Sequence, residues 1–189
     1  MGTRSLIGRE NHDGTVTYIY CHWDGYLSNN GKKLNDHYLE ADKVGALMAL
    51  GDISSLGSEI GEKHPFDTYS LSADQQARYE NWTSAYGRDR GEQGVEAKTA
   101  ASRQEYLKTD IGTEYWYLFV AGQWLYDNGE GRLRPLAPAL NRPDPDADED
   151  DDPSMDPSAE ETGTAANNLT EPAASPSRGG SSSPAAVWL

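Results

Sequence analysis

The chain has 189 residues, and its 16 Lys and Arg against 31 Asp and Glu leave a formal net charge of −15. That balance argues against nonspecific nucleic-acid binding, which relies on Lys and Arg releasing counterions from phosphates. A single cysteine, Cys21, excludes an intrachain disulfide, and no apolar run approaches the ~20 residues of a membrane span, so no membrane partner and a cytoplasmic location are expected.

The acidity is unevenly placed. Residues 1–141 carry 14 basic and 20 acidic side chains, a balance of −6, whereas residues 142–189 carry 2 and 11, a balance of −9. The second part runs from Arg142-Pro143-Asp144 through Asp148-Glu149-Asp150-Asp151-Asp152 into Pro, Ser, Ala and Gly, with hardly a large apolar residue before Val187-Trp188-Leu189. Like charges with little apolar surface cannot offset chain entropy, so residues 142–189 are predicted to be a disordered acidic tail, serving as spacer or tether. Residues 1–141 suit a single domain with a modest core.

In chain order, Arg4 to Arg9 reads as a strand and His12-Asp13-Gly14 as a turn, because Gly accepts the positive φ of tight hairpins. Val16 to Trp23 is β-branched and aromatic on both faces, which predicts a central strand paired with the first. Asp24-Gly25 breaks it, and Ser28-Asn29-Asn30-Gly31 reads as a further loop. From Lys32 the period lengthens: Leu34 and Tyr38 lie one turn apart, Val44, Leu47 and Met48 form a stripe, and Gly51 ends the helix.

Ser54 to Pro65 reads as loop. Ser72-Ala73-Asp74-Gln75 is a capping box, and the helix it opens is predicted to carry Tyr79, Trp82 and Tyr86 on one face and to stop at Gly87. Glu96 to Leu107 suggests a weaker helix. Tyr115 to Val120, Ala121-Gly122 and Gln123 to Tyr126 form the clearest hairpin, and Arg132 to Leu140 covers an edge or leads outward. Two hairpins with helices between them predict an α+β fold, a mainly antiparallel sheet with helices packed on one face.

Candidate chemistry is sparse. His22 and Asp24, at i and i+2 on an extended strand, would share a side, with Tyr26 as a nearby phenol; an acid–base pair is one reading, a packed hairpin corner the other. Arg88 and Arg90 flank Asp89, and two guanidiniums so spaced suit a phosphate or carboxylate, or else pair with neighbouring acids. Cys21 and His22 face opposite sides of a strand and make no dyad. His12, His22, His37 and His64 lack zinc-site spacing, and no phosphate loop, dinucleotide fingerprint or triad motif occurs, so no metal or cofactor is expected.

Met1-Gly2-Thr3-Arg4-Ser5-Leu6-Ile7, followed by Tyr20-Cys21-His22-Trp23-Asp24-Gly25-Tyr26, resembles the opening of a group of small uncharacterised proteins encoded by bacteriophages and prophages, in which a Gly-Thr-Arg-Ser start precedes a Trp-Asp-Gly-Tyr-Pro turn. Arg88-Asp89-Arg90-Gly91-Glu92 also resembles a recurrent feature of that group. The likeness covers residues 1–55 and 82–92, departs at Leu27 where the group has Pro, and implies a host-cell setting but no activity. A Gly-Thr-Arg strand with an Asp-Gly turn is also similar to the opening of N-terminal-nucleophile hydrolases, though removal of Met1 exposes Gly2, which has no nucleophile.

The leading expectation is a non-enzymatic phage-type accessory protein that binds a host protein or a small anionic ligand through Arg4, His22, Asp24, Tyr26, Arg88 and Arg90. The alternatives are a small hydrolase using His22, Asp24 and Tyr26, and a virion-associated or assembly protein.

Overall fold

The structure, a computed structural model, describes residues 2–141; the expected acidic tail and its terminal Trp188-Leu189 lie outside them. The first strand, β1 (Ser5–Glu10), pairs antiparallel with β2 (Val16–Cys21) from Ser5–Cys21 to Glu10–Val16. Their turn is built as its residues suggest. Gly14 takes φ +83°, and Asp13 Oδ1 accepts from the Thr15 N–H at 3.0 Å and the Thr15 hydroxyl at 2.7 Å.

The second hairpin, β6 (Tyr115–Val120) with β7 (Gln123–Asp127), closes through Ala121 and Gly122 at φ +48° and +84°. Two successive positive φ values define the turn whose twist matches the strands. Between the hairpins lie three short strands and four helices: α1 (Lys32–His37), α2 (Ala41–Ala49), β3 (Ile53–Ser55), α3 (Ala73–Tyr79), β4 (Ser84–Ala85), β5 (Lys98–Ala100) and α4 (Arg103–Lys108). The short edge strand β8 (Arg134–Pro135) and α5 (Leu136–Ala139) follow the second hairpin.

The strands run β4-β3-β2-β1-β6-β7-β8, with β5 also pairing β2. The sheet is α+β as expected but mixed, because β1 is parallel to β6 and β2 is parallel to β3. In place of a mainly antiparallel sheet, the two hairpins join edge to edge through β1 and β6 along a parallel seam. Residues 22–114 separate β2 from β6, chain enough for the crossover that a parallel pair needs.

Helices occupy both faces rather than one. Ile7, Ile19, Cys21, Tyr117 and Phe119 point to the face covered by Leu34 and Tyr38 of the α1 region, by Val44, Leu47 and Met48 of α2 and by Leu136 of α5. Leu6, Val16, Trp116 and Leu118, one residue out of phase, meet Tyr106 of α4 on the other face. A strand apolar on both faces needs cover on both, which Val16 to Trp23 already implied. Tyr106 also ties β1 to β6: its buried hydroxyl lies 3.0 Å from the Leu6 carbonyl and 2.8 Å from that of Tyr117.

Several local expectations change. Ser28 to Gly31 belongs to a π-helical turn, Leu27–Gly31, that runs into α1. Ser54 and Ser55, expected in a loop, belong to β3. The capping box at Ser72 forms, but its helix stops at Tyr79; Trp82 makes an isolated bridge to Glu59, and Tyr86 begins a second π-helical turn, Tyr86–Arg90. The expected single helix over Glu96–Leu107 is instead β5 and α4, with Ser102 accepting from the Glu105 N–H at the helix start. Pairing with β2 outweighs helix propensity for Lys98–Ala100.

Candidate functional site

β2 and β3 run parallel, and beyond their carboxyl ends lies an open cleft of about 660 Å³. Its wall combines Trp23 and Asp24 after β2, Ser54 and Ser55 of β3, Ser84 of β4, and the loop Phe66-Asp67-Thr68-Tyr69. Trp23 is 44% exposed and Tyr69 95%, so two aromatic rings stand in solvent at the rim. Large exposed aromatics beside a concavity suit contact with a ligand.

The turn that feeds Trp23 and Asp24 into the cleft is held from below. The Asn30 amide donates to Ser5 Oγ at 3.3 Å, Cys21 Sγ at 3.2 Å and the Trp23 carbonyl at 3.1 Å. The Tyr117 hydroxyl donates to the Gly25 carbonyl at 2.7 Å. A Cβ on Gly25 would stand 2.9 Å from the Thr3 carbonyl oxygen, so the chain passes there only as glycine. Asp24 takes φ +56°, a left-handed conformation that Asp tolerates better than most residues.

The extended strand that the expected His22–Asp24 pair presumes does not reach them. β2 ends at Cys21, so the two side chains do not share one extended face. His22 Nδ1 instead lies 2.8 Å from the Tyr20 hydroxyl, and the His22 ring meets Trp23 edge-on. Arg4 hydrogen-bonds the same Tyr20, whose phenol burial nevertheless pushes above its usual range. Arg4 and His22 therefore gather around Tyr20, while Asp24 lines the cleft. Tyr26 leads into the π-helical turn and packs on the main core.

Arg88 is not available to grip a ligand. Its guanidinium forks onto Asp89, with Nε 2.8 Å from Oδ1 and Nη2 2.9 Å from Oδ2. It also donates to the carbonyls of Ile60 at 2.9 Å, Gly61 at 3.1 Å and Thr83. Arg90 is more open, pairing with Glu92 at 3.2 Å and lying over the Phe66 ring at 5.2 Å. The alternative reading of the Arg-Asp-Arg segment, pairing with neighbouring acids and carbonyls, thus describes both arginines.

The structure also assembles residues that no motif linked. The Asp89 side chain has no exposed surface and accepts from the backbone N–H of Ala85 at 2.8 Å and of His64 at 3.2 Å. Burial opposes its charge, but the Arg88 bonds and these two N–H groups outweigh that and hold the carboxyl below its usual range. His64, 5% exposed, stacks on Tyr79 at 5.3 Å and meets Trp82 edge-on at 5.6 Å. Its Nδ1 lies 2.9 Å from the Glu62 carbonyl and 3.6 Å from Asp89 Oδ1, and its Nε2 lies 3.3 Å from Ser84 Oγ.

No sequence motif links this set, because residues 54–65 carry the composition of a loop and Ser84 falls inside the helix that the Ser72 capping box predicts. The only textual signal was the acid between two arginines.

Among the described residues, no three of His, Cys, Asp and Glu gather as a metal site, and no helix is long and apolar enough to cross a membrane. No family model, curated protein or solved structure matches the chain. The chemistry of the cleft therefore carries the functional argument.

Proposed function

We propose that the protein is a ligand-binding accessory protein, in the host-cell setting that its resemblance to small phage and prophage proteins implies, with the cleft beyond β2 and β3 as its site. One observation carries this reading: the aromatic residues Trp23, Phe66 and Tyr69 line a concavity together with the acidic residues Asp24 and Asp67 and the hydroxyl-bearing residues Ser54, Ser55, Thr68 and Ser84. Flat apolar faces beside hydroxyls and carboxylates favour a ligand bearing hydroxyls or an amine, or a basic side chain offered by a host protein. A small anion is the weaker fit, since two carboxylates repel it and Arg88 is spent on Asp89 and three carbonyls.

NMR titration of the ¹⁵N-labelled protein tests the assignment, with glucosamine, spermidine and glucose as probes. Saturable shifts are expected at the Trp23 indole and at the Ser54, Ser55 and Thr68 amides for at least one amine-bearing probe. Asp67→Asn should weaken that binding about tenfold, the scale of one hydrogen bond to a charged group. Shifts absent from all three titrations, or unchanged by the substitution, would refute the ligand class.

A further inference from the structure

The geometry points to Ser84 as an activated nucleophile on the cleft wall, with His64 as its general base, so that the cleft accepts an acyl group from a carboxylic ester. This goes beyond a binding role: it rests on the cleft proposed above and adds His64 and Asp89, which take no part in the ligand reading.

Three independent features of the site converge. The first is access from one side only. Ser84 is partly exposed and lines the cleft, whereas His64 approaches it from the protein interior, shielded by Tyr79 and Trp82. Substrate would meet the hydroxyl while bulk water is kept from the far side of the imidazole.

The second is the tautomer. The Glu62 carbonyl only accepts, so in the neutral ring the proton sits on Nδ1, which donates to it across 2.9 Å. Nε2 is then the lone-pair nitrogen, and at 3.3 Å it faces Ser84 Oγ as an acceptor. That is the arrangement a serine base requires; a contact slightly long at rest tightens when the reacting complex forms.

The third is the charge behind the ring. Asp89 Oδ1 lies 3.6 Å from Nδ1, near enough to stabilise the imidazolium that forms when Ser84 loses its proton. The carboxylate is itself fixed by Arg88 and two backbone N–H groups, so Asp89 is a positioning residue that acts through His64. Ser55 and Thr68 belong to the same cleft wall, and a hydroxyl is a donor of the kind that a developing oxyanion needs.

The steps balance with water as the sole co-reactant. Ser84 Oγ attacks the ester carbon as its proton passes to His64 Nε2; the bond to the leaving oxygen then breaks, and that oxygen takes the proton from Nε2. Water, deprotonated by His64, attacks the acyl-serine. The carboxylic acid departs and the proton returns to Ser84.

Diisopropyl fluorophosphate probes the first half-reaction, since attack by Ser84 on phosphorus expels fluoride and leaves a stable adduct. Intact-mass and peptide-mass measurements are expected to show a single adduct, on Ser84, absent from Ser84→Ala. His64→Gln should slow its formation at least about 100-fold, the usual share of a general base. Asp89→Asn should move the rate–pH curve to lower pH, because the imidazolium loses its nearby negative charge. That displacement is something a purely structural Asp89 would not cause.

If His64→Gln fails to fold, wild-type protein in urea replaces it and should lose the adduct. An unmodified Ser84 in the native protein, labelling spread over other serines, or a rate equal in wild type and His64→Gln or in native and urea-unfolded protein would overturn the inference. Glucosamine or spermidine shifts that persist in Ser84→Ala would keep the binding site while the nucleophile stands or falls separately; loss of both would defeat both readings.

Discussion

Arg88→Ala separates a structural arginine from a ligand-gripping one. The side chain is only 17% exposed, and its partner Asp89 has no exposed side-chain surface. Removing the guanidinium leaves a buried carboxylate with two backbone N–H donors, and it frees the carbonyls of Ile60, Gly61 and Thr83. Breaking one side of a buried ion pair costs about 3–5 kcal/mol; the two remaining N–H bonds place Arg88 near the lower end. With a urea slope of about 1.5–2 kcal/mol/M for a domain of this size, the midpoint should fall by roughly 1.5–2 M.

The effect has a definite pH dependence. Asp89 in the folded wild type titrates below its unfolded value, so its contribution is fully present above the unfolded pKa of about 3.9 and is lost as pH falls through the folded value. In the variant, burial is no longer outweighed and the carboxyl protonates more readily. The stability gap between the two proteins should therefore begin to close above the unfolded pKa of about 3.9, as the variant's carboxyl protonates, and go on closing until pH falls through the folded wild-type value. Urea titrations at pH 7 and at pH 3.5, followed by tryptophan fluorescence, measure it. A midpoint change worth less than about 0.5 kcal/mol at pH 7, the range of ordinary surface substitutions, would refute the assignment and return Arg88 to the surface.

The second hairpin and the buried thiol give two further tests. Ala121 occupies a left-handed position that Asn adopts at lower cost, so Ala121→Asn is expected to stabilise by about 0.5–1 kcal/mol and raise Tm by roughly 2–4 °C in calorimetry; a lower Tm would mean that the turn is built differently. Burial pushes the Cys21 thiol up to about 11, so at pH 8 its thiolate population should be roughly 100-fold below that of an unfolded cysteine. Reaction with a chromogenic disulfide should be slower by at least that factor in native protein than in urea, and rates within tenfold of each other would disprove the burial of Cys21.

Reading and structure agree most where a signal is local. Gly14, Ala121-Gly122 and the Ser72 capping box formed where their residues indicated, because turn and cap geometry depend on a few neighbouring dihedrals and hydrogen bonds. The stripe of Val44, Leu47 and Met48 was likewise legible, since a helical face must bury its apolar side. Tyr79, Trp82 and Tyr86 also repeat at a helical period and yet share no helix. The helix ends at Tyr79, and rings contributed by other segments, His64 and Phe66, gather the aromatics into two separate groups.

The candidate site divides the same way. Asp24 lines the cleft, as the Asp-Gly punctuation after an aromatic strand allowed, but it stands beyond the end of that strand at a φ of +56°, and no pattern of residue types encodes that angle. Residue order alone determined the two hairpins, the buried face of α2 and the charge asymmetry along the chain, all of which follow from short-range periodicity and composition. Tertiary structure alone decided the parallel pairing of β1 with β6, the covering of both sheet faces, and the meeting of His64, Ser84 and Asp89. Those depend on contacts between segments far apart in the chain, whose energies no window of neighbouring residues contains.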